Sequence, residues 1–123
     1  MIDKAIRNRM SEVQDRIVED LNRMGVLRNV TGYSLSVKTY SKTCFGRYYP
    51  RTDNIFVYLY EDTALTKERP YDELFRTVLH EITHYIQYHD AFFIRARGVM
   101  HNEEFYHILN DLVREAECEE IIE

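Results

Sequence analysis

At 123 residues, 45% of them apolar, the chain is long enough to bury about two-thirds of its unfolded surface, and positions 1–123 are expected to form a single domain. The charged fraction of 30%, with only four glycines and two prolines, excludes a disordered or low-complexity chain. A net charge of −5 argues against a dedicated nucleic-acid binder by total charge, and no apolar run approaches the roughly 18 residues that cross a bilayer.

The first predicted element is a helix over residues 3–24. Ile6, Met10, Val13, Ile17, Leu21 and Met24 recur at steps of three and four, which paints one apolar stripe. Asp3 is its candidate N-cap and Gly25 its stop. No apolar h-region opens the chain, and Cys44 and Cys118 form no C-x-x-C pair, so the expectation is a reduced, cytoplasmic protein.

Three strands follow. Residues 33–40, YSLSVKTY, alternate as a half-buried strand. TCFGRYY, 43–49, is a weaker one whose Gly46 predicts a bulge or a close backbone approach. NIFVYLY, 54–60, is the strongest, rich in β-branched and aromatic residues, after turn residues Pro50 to Asn54. Their order predicts a small, mainly antiparallel sheet built as a meander. Pro70 then opens a helix running to about His89, and Asn102 to about Cys118 form a last helix. On the last helix Phe105, Ile108, Leu109, Leu112 and Ala116 share one side. The fold class is therefore α+β, with one helix before the sheet and two after it.

The chemistry sits in VLHEITHYIQYHD, residues 78–90, which contains H-E-x-x-H. At 100° per residue, Phe75, Val78, Leu79, Ile82 and Ile86 fall within a half-turn as the core face. His80 and His84 point away from it, stacked one turn apart, so both imidazoles can reach one metal ion. Glu81 lies beside them, where its carboxylate reaches a metal-bound water rather than the ligand set. Two neutral nitrogen ligands and a general base are what a zinc-hydrolase helix needs. The alternative, a solvated polar face, leaves the mid-helix placement opposite the apolar stripe as coincidence.

Catalytic zinc takes three protein ligands and keeps one position for water. His101, opening HNEEF at the start of the last helix, is the better candidate for the third. Glu103 and Glu104 remain alternatives. Asp90 is a poor one, because Gln87 stands where one peptidase class turns on a glycine, and His89 is one residue off that register. His107 reads as a surface or supporting histidine.

FGRYY before NIFVYLY, then LFRTVLHEITHYIQ, then HNEEF with its apolar helix, together resemble the SprT-like zinc metallopeptidases, the family of the Spartan-type proteases. The resemblance runs from about Cys44 to Leu112 and implies a zincin-like fold. It implies His80, His84 and His101 as zinc ligands, Glu81 as catalytic base and Phe105 as the packing aromatic. Asn102 replaces a common glycine, and no zinc ribbon follows, which implies a minimal catalytic domain.

The expected function is a zinc-dependent endopeptidase acting on proteins through a zinc-activated water. An extended substrate would add to the TCFGRYY strand. Tyr85, Tyr88, Arg95, Arg97, Tyr106 and His107 are all candidate oxyanion donors. Residues 21–52 contain no acid and interleave Arg23, Arg28, Lys38, Lys42, Arg47 and Arg51 with aromatics, which makes single-stranded DNA a candidate partner. The alternative function is a weakly active or inactive zinc-containing module that binds a partner protein or nucleic acid.

Overall fold

The structure, a computed structural model, describes residues 3–89 and 101–123. Helix α1 spans Lys4–Arg23. The Asp3 side chain accepts the Ile6 N–H at 2.8 Å, satisfying one of the orphan donors of the first turn. Met24 leaves the helix in an extended conformation, and a short 3-10 turn, Gly25–Leu27, follows. Val13, Ile17 and Leu21 are buried, with Ile6 and Met10 packed at the edge of the same stripe.

The sheet contains β1 (Ser34–Lys38), β2 (Gly46–Tyr49) and β3 (Asn54–Tyr58) in the order β1-β3-β2. This corrects the meander. β2 pairs antiparallel with β3, Gly46 opposite Val57, but β1 pairs parallel with β3, Ser34 opposite Asn54. The reason lies in connection length and apolarity. The four residues between β2 and β3 force those strands to be neighbours, whereas the seven between β1 and β2 leave β1 free to cross. The most apolar strand then takes the centre, where Ile55 and Val57 are fully buried.

Gly46 is required by close approach. A Cβ there would lie 2.6 Å from Thr77 Cγ2 and 3.1 Å from the Phe56 carbonyl oxygen. The edge of β1 is closed by α1, whose Gln14 side chain accepts the Val37 N–H at 3.0 Å. The edge of β2 faces the region described below.

Helix α2 spans Tyr71–His89, directly after Pro70, and α3 spans Glu103–Cys118. Phe75, Val78, Leu79 and Ile82 are fully buried, as their periodicity predicts. α2 is nonetheless wrapped more completely than an amphipathic surface helix. Glu81, Thr83, Tyr85 and Gln87 are also buried, because the sheet lies on one side of α2 and α3 on another. α3 contributes Phe105, Leu112 and Ala116 to the interior, and Ile121 and Ile122 fold back onto it. Among the described residues no helix is long and apolar enough to cross a membrane.

Candidate metal centre

His80 and His84 project from the middle of α2, and His101 stands one residue before Asn102, the N-cap of α3. One ring nitrogen from each can be chosen so that all three lie within 4.8 Å of one another. The ring centroids form a near-equilateral triangle with sides of 5.0, 5.1 and 4.9 Å. Phe105, fully buried, packs against all three rings at 4.9, 4.6 and 4.9 Å. One aromatic side chain thus fixes the orientation of the whole cluster.

The donor set suits zinc. Burial first, and the neighbouring His80 and His101 second, push the His84 pKa down to about 4. Burial and His101 also lower that of His80. Both rings are therefore neutral near pH 7 and keep a lone pair for a metal. The Nε2 atoms of His84 and His101 are 3.1 Å apart. Tetrahedral ligation at Zn–N distances of about 2.0–2.1 Å needs nitrogens roughly 3.3–3.4 Å apart, a small adjustment.

Glu81 is 7% exposed and stands between the cluster and β2. Burial pushes its pKa up to about 7, against a hydrogen bond from the Tyr48 backbone N–H and the charge of Arg47, which both lower it. That donor follows from strand phase. The Tyr58 N–H donates to the Phe45 carbonyl, so residues 46 and 48 turn their backbone polar groups away from β3. The open edge of β2 thereby meets the buried carboxylate next to the histidines.

The polar contact that anchors His101 was not visible in the sequence. Buried Gln87 donates from Nε2 to Asn102 Oδ1 at 3.1 Å and to Glu104 Oε1 at 3.2 Å. Asn102 Oδ1 also accepts the Phe105 N–H at 2.9 Å, capping α3. Gln87 so ties the end of α2 to the residue after His101. The signal that existed was the capping asparagine itself.

The other candidates lie elsewhere. Glu103 and Glu104 are exposed and do not join the histidine cluster. His89 Nε2 donates to Asp53 Oδ1 at 2.8 Å, and Asp53 also accepts the Tyr48 hydroxyl at 2.6 Å. His107 is exposed and faces Asp111 at 3.7 Å. The Tyr85 hydroxyl donates to the Thr31 carbonyl. Tyr88 packs against Tyr48 and His89. Tyr106 is half exposed, its ring 6.4 Å from that of His101. Asp90, Arg95 and Arg97 lie outside the described residues.

No family model and no curated protein sequence matches the chain. Solved structures do. A Wss1 mutant from Saccharomyces cerevisiae superposes with a TM-score of 0.73 at 17% identity, covering 98% of this chain and 87% of that one. Wss1 from S. pombe gives 0.65 at 19% identity, over 89% and 82% of the two chains. At these identities the likeness concerns the fold alone: the chain has the α+β architecture of the Wss1 structures, and its own residues form a histidine cluster able to hold a metal ion.

Proposed function

We propose that this chain is a zinc-dependent endopeptidase of SprT-like type, occupying 1–123 as one catalytic domain. The observation that supports this most is the convergence of His80, His84 and His101 beside buried Glu81, built from α2 and the residue that precedes the N-cap of α3. His80, His84 and His101 would hold the ion. A zinc ion bound there would supply a water acidified to a pKa of about 7 and a Lewis acid for the carbonyl oxygen.

The protein does the rest. Glu81 takes the water's proton on its carboxylate and passes it to the leaving amine. In the metal-free protein burial raises the pKa of Glu81, so its carboxylate holds a proton more readily than that of an exposed glutamate. The Tyr48 N–H holds the carboxylate in place. Phe105 and Gln87 hold the ligands in position before the metal arrives.

Glu81→Gln preserves shape and removes the base. The variant should bind zinc at wild-type stoichiometry while cleavage of an unstructured protein such as casein falls about 10²–10⁴-fold. Equal rates would remove Glu81 from the mechanism. Retention of a buried, desolvated acid beside the cluster favours a peptidase over an inactive binding module, in which that acid has no task.

Single-stranded nucleic acid is the proposed second partner, on the sheet face away from the helices. There Lys38 Nζ lies 4.7 Å from the Phe56 ring, Arg47 Cζ lies 5.5 Å from the Tyr49 ring, and those two rings are 5.1 Å apart. Cations interleaved with half-exposed aromatics suit stacked bases. Affinity for oligo(dT) should fall steeply with salt; a flat salt dependence would remove this partner.

A further inference from the structure

We infer that the cleft beside the histidine cluster is a specificity pocket that receives a large apolar side chain of the substrate close to the scissile bond. The inference rests on the peptidase reading. The cleft has a volume of about 540 Å³. That lies within the roughly 300–1,000 Å³ of sites that enclose a small ligand, so a bulky side chain and its neighbours fit.

One wall is a single face of α2, where Glu73, Arg76, Thr77, His80 and Glu81 follow at helical spacing. His80 and Glu81 belong to the proposed catalytic centre, so whatever enters the cleft lies next to the reacting atoms. Leu109 and Val113 of α3 face it across the gap, and Phe45 and Gly46 close the third side. The backbone polar groups of Gly46 point off the open edge of β2. A peptide strand laid on that edge turns alternate side chains to one face.

The lining selects for apolar rather than charged groups. Glu73 is engaged by Arg69 at 3.4 Å. Arg76 donates to the Glu123 carbonyl at 2.6 Å and sits 3.8 Å from Glu117. Both charges at the far end of the cleft therefore have partners within the chain. Away from His80 and Glu81, what remains is Phe45, Leu109, Val113 and the Thr77 methyl, with Asn110 as the one uncharged polar side chain on the α3 wall.

Phe45 is the most telling of these. It is 57% exposed, unusual for a phenylalanine. It is also fixed, because the guanidinium of Arg69, itself 8% exposed, lies 3.9 Å from its ring centroid. A preset aromatic ring at the mouth of a cleft, beside a candidate general base, is placed to cover an apolar side chain.

Two measurements test this together. The first compares zinc-loaded wild type, Phe45→Ala and Val113→Arg on matched octapeptides carrying Phe, Leu, Asp or Gly at one central position. Wild type should prefer Phe and Leu over Asp and Gly by at least tenfold in kcat/KM, the scale expected of an apolar pocket, mostly through KM. Both variants should reduce that ratio to below about threefold. Val113→Arg fills the cleft and Phe45→Ala empties its mouth, so a folding defect in one leaves the other as the test.

The second measurement is fluorescence anisotropy of the labelled Phe and Gly peptides with Glu81→Gln protein, which needs no turnover. Cleavage without preference would overturn the pocket and leave the peptidase reading standing. No cleavage, with Phe-selective binding lost in Phe45→Ala, would overturn the peptidase reading and support the pocket as a binding site. Neither cleavage nor selective binding would overturn both.

Discussion

The two faces of α2 share nineteen residues and do opposite work. One face, Phe75, Val78, Leu79 and Ile82, is fully buried against the sheet and carries no polar atom. The other carries His80, Glu81 and His84, partly or wholly removed from water yet rich in nitrogen and oxygen. Burial stabilises the first face and strains the second, raising the pKa of Glu81 and lowering those of the histidines. The lesson is that desolvation is tolerated at the polar face because it sets protonation states. A metal ion would meet His80 and His84 already neutral, the form that ligates.

The largest effect that separates the faces is on stability. Ile82→Ala should destabilise the fold by about 2–5 kcal/mol in urea denaturation, yet bind zinc normally while folded. If it lost zinc as readily as His84→Ala, the faces would not be independent.

A second test uses pH. In the metal-free protein the folded pKa of Glu81, about 7, is raised above its ordinary value of 4.5. The folded state therefore holds this proton more tightly than the unfolded one. The stability it contributes is fully present below pH 4.5 and is lost as pH rises through 7. The histidines drift the other way, so the comparison is with Glu81→Gln. The stability of that variant relative to wild type should grow between pH 4.5 and 7, by at most about 1.4 kcal/mol per unit, and level off above. A constant difference would mean Glu81 is not desolvated.

Gln87→Ala should have the smallest effect on the fold and act on the site. Losing the bonds to Asn102 and Glu104 frees the segment carrying His101, and zinc affinity measured by chelator competition should fall about 10–100-fold. An unchanged affinity would show that Phe105 alone positions the cluster.

The helices were legible in the sequence because their signals are local. Apolar residues at steps of three and four place α1, α2 and α3, and the cap Asp3 locates the start of α1 to within a residue. The motif carried by α2 was legible for the same reason, since i and i+4 share a face. The sheet pairing was not. Period-two alternation says which side of a strand is buried, not which strand lies beside it. Gln87 was missed as a tether, and so was the Tyr48–Asp53–His89 group, because each joins residues distant in sequence that no spacing rule connects.

The central claim is that His80, His84 and His101 hold one ion. Its most direct test is the metal content, by plasma mass spectrometry, of purified wild type and His101→Ala after dialysis. The account predicts about one zinc per wild-type chain and little in the variant. Zinc retained at full stoichiometry by His101→Ala would contradict it and move the third ligand away from His101.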